Sequence, residues 1–335
     1  DVIKEHKVRG FTHCGLVMQI VMRMVMMDAL QYLEGDIISP LMSEFTPHNY
    51  TVLDLYNIMH SHPGEYNWIG IDKSKNDTTL PNWAAYVLFF MLNNEWFHYP
   101  KDSEDYLLLR GCCMMVHMCW LVRGTAVVIR LTGLDSGVLV TCTVNGVGGY
   151  CIDKFSFDQI YPDKDYNELV RTKHGGDDCM KTVSHQCPLY NNLSLQYCAR
   201  HFFGMIYTAP DKGELKVYDN EEDIVFLQRK FTRVEGVLAY ALNKDSIIGC
   251  LNYVHKNEPQ NILESNCRMA LQEAVYHGRE YFEWLRNALI KCRAEARVTG
   301  LEFKTWNYYH RRWLSKYLGS TCPINNQVFV DEDEF

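Results

Sequence analysis

Gly175-Gly176-Asp177-Asp178 sets two adjacent carboxylates directly after two glycines. It is preceded by Glu168-Leu169-Val170-Arg171-Thr172-Lys173-His174 and followed by Cys179-Met180-Lys181-Thr182-Val183. Both flanks are short and carry β-branched residues, and a Gly-Gly between such runs reads as a hairpin turn. The turn would carry both carboxylates at its tip. Adjacent carboxylates repel each other unless a cation neutralises them, so a divalent metal is the chemical reading of the pair. Gly followed by Asp-Asp also suits a solvated turn. The residues at defined distances on either side decide between the two.

The chain has 335 residues, enough for two or three structural units with a substantial core. Apolar residues make up 47% and charged residues 22%, as in an ordered globular protein, with no low-complexity segment and no internal repeat. The first residue is Asp1 rather than Met, which suggests excision from a longer product. Thirteen cysteines follow no disulfide-framework spacing, which fits a reducing compartment. His185, Cys187, Cys198 and His201 have a spacing that zinc could use, although buried thiols and a surface histidine are the simpler reading. No signal peptide or membrane span is expected. The apolar run 16–30 is interrupted by Gln19, Arg23 and Asp28 and reads as a buried helix. A net charge of −8 speaks mildly against nucleic-acid binding, but Asp331-Glu332-Asp333-Glu334 supplies four of the negatives and leaves room for a basic channel.

Working outward, Lys7-Val8-Arg9-Gly10-Phe11 alternates like a strand with its cations on one face, and 16–32 reads as a methionine-rich helix. A short helix is expected at 52–61, then a buried strand at 67–71 that ends on Asp72, with Asp77 five residues on and a helix beginning near Pro81. Residues 93–100 read as a loop, 106–120 as a helix and 125–131 as a strand. Gly133-Leu134-Asp135-Ser136-Gly137 leads into an apolar helix, 138–150, that carries Thr141 and Asn145. Asn is disfavoured in mid-helix, so Asn145 is expected to hydrogen-bond something specific. Residues 153–166 read as a charged loop. Beyond the Gly-Gly-Asp-Asp hairpin come a helix at 189–203, a strand at 204–207, a turn ending in Lys212 and a hairpin around 224–231. From 245 onward the pattern is helical, at 247–255, 263–277, 280–297 and 306–317.

The order is therefore a cation-bearing strand, Asp-x4-Asp, Ser-Gly with a later Asn, Gly-Asp-Asp, a turn ending in Lys, and Phe-Leu-x-Arg-Lys-Phe. This resembles the RNA-dependent RNA polymerase of picornavirus-like positive-strand RNA viruses over residues 4–290. The resemblance implies an α+β right-hand polymerase: partial fingers at 1–25 and 95–130, a palm with an antiparallel sheet at 26–94 and 131–232, and a helical thumb at 233–335. It implies template-directed nucleotidyl transfer from ribonucleoside triphosphates to an RNA 3′ end with two Mg2+ (or Mn2+) ions. Asp72, Asp177 and Asp178 match the family's metal-binding carboxylates, and hard cations require such oxygen ligands. Asp77, Ser136, Gly137, Thr141 and Asn145 match positions that read the ribose and bind the substrate. Lys7 and Arg9 match the basic finger motif on the triphosphate, and Lys212 the lysine proposed to protonate pyrophosphate. Phe226, Leu227, Arg229 and Lys230 match the hairpin that grips the primer. The run 266–285 is similar to thumbs of the dicistrovirus-like and marnavirus-like branches.

Three positions depart from the family pattern. Gly175 stands where tyrosine is usual, Asn76 where an aromatic is common and Asp135 where proline is common. None removes a metal ligand. The segment that in the family bridges fingers to thumb would lie upstream of residue 1. Implied partners are template and primer RNA, ribonucleoside triphosphates, a protein primer and other viral replication proteins, at membrane-associated complexes in the host cytoplasm. A reverse transcriptase would share the carboxylates but not the Asp77, Ser136 and Asn145 set. A non-catalytic polymerase relative that binds RNA would be expected to have lost a metal carboxylate.

Overall fold

A computed structural model describes residues 16–35, 39–42, 51–74, 79–115, 120–123, 126–129, 132–134, 139–210, 213–252, 259–296 and 301–318. The chain divides into two compact units, one of residues 1–44 and 61–224, the other of 45–60 and 225–335.

The first unit is built on a four-stranded antiparallel sheet in the order β4-β5-β1-β6. Its strands are β1 (Tyr66–Ser74), β4 (Val170–Gly175), β5 (Asp178–Ser184) and β6 (Ile206–Thr208). Strands β2 (Trp120–Arg123) and β3 (Ala126–Ile129) form a separate hairpin. The helices of this unit are α1 (Leu16–Gly35), α3 (Trp83–Leu92), α4 (Glu104–Met114), α5 (Thr141–Ile160), the single turn α6 (Tyr166–Leu169) and α7 (Asn192–Phe203). Helix α3 buries Ala84, Ala85, Leu88, Phe89 and Leu92, and α5 buries Val144, Val147, Ile152 and Phe157, so both are core-facing on a helical period. Helix α7 starts with a capping box between Asn191 and Ser194 and stops at Gly204, whose φ of 68° closes the last turn. Beneath α5, Phe157 meets Tyr166 and Tyr190 edge-to-face at 5.4 and 5.2 Å.

The second unit holds α2 (Thr51–Met59), the hairpin β7 (Arg229–Val234) and β8 (Val237–Leu242), and four helices. These are α8 (Lys244–Cys250), α9 (Pro259–Ala274), α10 (Arg279–Glu295) and α11 (Trp306–Leu318). Its core joins Ala239, Ala241, Leu271, Tyr276, Phe282, Trp306 and Trp313.

Several boundaries differ from the sequence reading. The helix expected at 138–150 runs on to Ile160, so the stretch expected as a charged loop is mostly helix. Its charges lie on a helical period instead: Lys154 pairs with Asp158 one turn on, at 3.7 Å. The helix expected at 106–120 ends at Met114, and Trp120 opens β2. The loop expected at 93–100 begins with a π-turn, Asn93–Phe97, and the Asn93 Oδ1 accepts from the Tyr99 amide at 3.1 Å. Helix α1, expected to be buried, buries Met22, Met26, Ala29 and Leu30 on one face and exposes Leu16, Val17, Ile20 and Met24 on the other. Its 16–33 stretch is long and apolar enough to cross a membrane by length and composition. The hairpin expected around 224–231 is shifted towards the C-terminus, with Glu235 and Gly236 at its turn; their φ values of 51° and 83° have the signs of a type I′ turn. All ten described cysteines are free.

One histidine links this packing to pH. His62 stacks on Tyr66 at 5.1 Å, and its Nε2 lies 2.9 Å from the Thr182 hydroxyl. Burial, with the Arg171 guanidinium adding to it, holds its pKa down at about 4 from 6.5. The unfolded chain therefore takes up a proton below pH 6.5 that the folded chain refuses. The stability tied to neutral His62 is present above pH 6.5 and is lost as pH falls towards 4. Thermal unfolding across that window is expected to show a falling Tm that is flatter in His62→Gln; parallel curves would remove His62 as the cause.

Candidate active site

The register of β1 against β5 pairs Asp72 with Asp178 directly across the ladder. Directly opposed residues share a face of the sheet, with Cα atoms about 4.5–5.5 Å apart. Asp72 is also paired with Thr208 of β6, whose hydroxyl donates to the Asp72 carbonyl at 3.4 Å. The turn joining β4 to β5 consists of Gly176 and Asp177 alone, because Gly175 pairs with Asp178. Asp177 is exposed at the tip and Asp178 is half-buried on the strand. The hairpin therefore carries one carboxylate at its tip and one beside it, rather than both at the tip.

Gly176 has φ of 67°, and Asp177 is not among the residues with positive φ. This is the sign pattern of a type II′ turn, which calls for glycine at its first central position. A Cβ at Gly176 would lie 3.9 Å from the Cys142 sulfur, so space is not what excludes a side chain. Gly176→Ala is expected to cost about 1–2 kcal/mol through backbone strain alone, measured by urea unfolding. A loss below a few tenths would show that the turn can relax. The same contact sets the hairpin tip beside the first turn of α5, where Thr141 stands. Asn145, one turn on, is buried to 9% exposure and is held by polar interactions in that setting.

The donor set fits hard divalent ions. It consists of carboxylates only, two of them facing each other across a ladder, where like charges oppose one another without a cation. Among the described residues, the group of three side chains whose ligand atoms all lie within 4.8 Å is a different one: Asp153, His174 and Cys179. Asp72, Asp177 and Asp178 stand more widely spaced. The four residues with zinc-like spacing do not converge. His185 bonds Glu65 and Asn67 at 3.0 and 3.1 Å, Cys187 lies 3.8 Å from the Lys164 ammonium, and His201 stacks on Tyr197 at 5.5 Å. Burial pushes the Cys198 thiol up from its ordinary range, as expected of a packed thiol.

In the second unit the segment 226–230 makes a tight turn closed by a Phe226–Arg229 bridge. Leu227 and Gln228 both have positive φ, 53° and 60°, an uncommon conformation for non-glycine residues. Phe226 is fully buried and Lys230 is exposed. Arg229 forks onto Glu273 of α9 with two 2.8 Å bonds and donates a third to the Tyr240 carbonyl at 3.0 Å. Its guanidinium is thus engaged inside the unit. Lys7, Arg9, Asp77, Ser136, Gly137 and Lys212, with Asn76 and Asp135, lie outside the described residues.

An antiparallel sheet with paired carboxylates at a hairpin, backed by helices on its other face, is the palm of a nucleic-acid polymerase. A profile of the viral RNA-dependent RNA polymerase family matches residues 1–293, and the chain belongs to that family. The fold is similar to the sicinivirus 3Dpol RNA-dependent RNA polymerase, with a TM-score of 0.68 at 16% identity, over 89% of this chain and 61% of that one. Among curated proteins, the genome polyprotein of rice tungro spherical virus (strain Vt6) is 36% identical over 127 residues, which is 36% of this chain and 4% of the polyprotein. The RNA1 polyprotein of satsuma dwarf virus is 25% identical over 244 residues, or 68% of this chain and 11% of that polyprotein. The replicase polyprotein of Drosophila C virus is 26% identical over 149 residues, 43% of this chain and 8% of the polyprotein. The chain thus spans a small part of the curated polyproteins it matches. By family and fold it is an α+β member of the viral RNA-dependent RNA polymerase family, and that family uses divalent metals, RNA and nucleoside triphosphates.

Proposed function

We propose that this chain performs template-directed transfer of ribonucleotides to an RNA 3′ end, within a viral replicase acting in the host cytoplasm at membrane-associated complexes. The observation that carries the reading is the cross-strand pair Asp72–Asp178, with Asp177 beside it at a glycine-built tip. Asp72, Asp177 and Asp178 would hold two Mg2+ ions. When bound, these would neutralise the developing charge on the attacking and leaving oxygens. The polypeptide positions the groups around them. Asp72 and Asp178 are held on one face by their register, and Asp177 reaches past the end of the sheet. Asn145, with Thr141, Asp77, Ser136 and Gly137, reads the ribose. Lys7 and Arg9 bind the triphosphate, and Lys212 supplies a proton to pyrophosphate. Phe226 and Leu227 shape the primer-grip turn, Arg229 fastens it and Lys230 faces the RNA. In this reading the sheet unit is palm with partial fingers, and residues 233–335 are the thumb.

Primer extension on an RNA template with Mg2+ tests this, offering ribonucleotides or deoxynucleotides. The protein assayed should include flanking chain, since this chain spans 61% of the sicinivirus polymerase. Ribonucleotide incorporation is expected. Asn145→Ala is expected to narrow the preference for ribonucleotides by about 10-fold or more, because a site built to bond a hydroxyl rejects analogues that lack it. An unchanged ratio would take Asn145 out of the sugar-reading set. A folded protein that binds RNA but incorporates neither nucleotide would favour a non-catalytic relative.

A further inference from the structure

Residues alternate between the two faces of a strand, so the neighbours of the carboxylates point the other way, towards α5. Lys73 follows Asp72, Cys179 follows Asp178, and Lys181 stands two residues further along β5. His174 of β4 is the cross-strand partner of Cys179. All four are buried, and they gather at one residue of α5, Asp153, which is fully buried. The Asp153 Oδ2 accepts from His174 Nε2 and from Lys181 Nζ, each at 3.0 Å, with the Cys179 sulfur 3.9 Å away. The Asp153 carbonyl accepts from the Tyr190 hydroxyl at 3.3 Å. Lys73 Nζ is buried, and among the described residues it has no hydrogen-bond acceptor. It lies against α5 so closely that a Cβ on Gly149 would stand 2.2 Å from it and 2.8 Å from His174 Nδ1.

We propose that Asp153 is a positioning residue for RNA synthesis, tethering the carboxylate-bearing strands to α5 from behind the sheet. The inference rests on the polymerase reading above. Three strands, β1, β4 and β5, each send a polar side chain to this one corner of α5. Each of those side chains is one to three residues from Asp72, Asp177 or Asp178. A shift of the Asp153 anchor therefore moves the spacing of the carboxylates, which no packing residue elsewhere in the core would do so directly. Burial alone pushes a carboxyl up, yet the Lys181 ammonium and the His174 hydrogen bond outweigh it and hold Asp153 at about 2. Asp153, His174 and Cys179 also have the spacing of a metal site. The Lys181 ammonium already sits on the carboxylate, so a further positive charge at the same oxygen is opposed.

The test compares Asp153→Asn, Asp153→Glu and the charge-free pair Asp153→Leu with Lys181→Met. Steady-state extension is measured across Mg2+ concentrations, with circular dichroism and Tm on each protein. Asp153→Asn is expected to lower kcat about 100-fold, the cost of a misplacement near 1 Å, with KM for nucleotide changing little. The Mg2+ concentration for half-maximal rate should rise about 10-fold, a signature that mis-spaced ligands produce and general destabilisation does not. Asp153→Glu should recover part of the rate. The double variant keeps the core apolar and folded if Asp153→Asn is not, and should show the same raised Mg2+ requirement. A folded double variant with wild-type kcat and Mg2+ dependence would overturn the proposal. So would one equivalent of transition metal in the purified protein that is lost in His174→Ala, which would make Asp153 a ligand instead. A wild-type protein that makes no RNA would bring down the polymerase reading itself.

Discussion

Asp177→Ala is expected to abolish ribonucleotide incorporation, by at least about 1,000-fold, equivalent to roughly 4 kcal/mol of barrier. The fold should be unaffected. Asp177 is exposed at the end of a two-residue turn whose conformation is set by Gly176, so its side chain contributes little packing. Far-UV circular dichroism and Tm should match the parent, separating loss of chemistry from loss of structure. Asp72→Ala should be as inactive, because its carboxylate faces Asp178 on the same side of the ladder. Incorporation within tenfold of the parent in Asp177→Ala would sink the assignment of these carboxylates.

The second large effect lies in the other unit. Arg229→Ala should destabilise that unit by about 2–4 kcal/mol. The guanidinium and the Glu273 carboxylate are only 13% and 12% exposed, and removing one partner of such a pair leaves the other charge stranded. Arg229→Lys should recover less than half, since an ammonium cannot fork onto both carboxylate oxygens. Replacing Arg229 and Glu273 together by methionine should cost less than either single change. The exposed Lys230 should behave oppositely: Lys230→Ala is expected to leave Tm unchanged, weaken primer–template binding and lower its salt dependence by about one phosphate contact. Arg229→Ala with an unchanged Tm and weakened RNA binding would return Arg229 to the RNA-facing set.

The carboxylate-bearing sheet was legible in the sequence because its motifs are ordered along the chain. Asp72 and Gly-Asp-Asp could be named without knowing which strands neighbour one another, and the β1–β5 register then brings them face to face. Asp153 was not legible, and the reason is local. The helix is read as far as its apolar run, to 150, and the charged stretch 153–166 beyond it as a loop, so Asp153 falls outside the expected helix. Gly146 and Gly148 of that helix mark where neighbours come close: Cβ atoms there would stand 2.7 and 2.9 Å from side chains of Leu41 and Leu80. A signal was present. Thr172 and His174, with Cys179 and Lys181, put polar residues at every second position of both hairpin strands. Period-2 polarity normally marks a solvated face, and only the covering helix shows that this one is buried. The fork of Arg229 was hidden for a different reason, because Glu273 lies 44 residues away and no local pattern joins them.

The alternation of the strands has an evolutionary consequence. In β1 and β5, residue parity separates oxygen donors from ammonium and thiol groups. An insertion or deletion of a single residue within either strand would exchange the two sets. In β1, Lys73 would then take the place of Asp72 and the Asp72 carboxylate would be driven against the helix; in β5, Cys179 would take the place of Asp178. Length variation among viable descendants of this chain should therefore spare β1 and β5 and accumulate in the connections outside the sheet, whereas point changes within the strands remain open wherever they preserve the class of each parity. In these strands the reading frame of the fold is as strict as that of the gene.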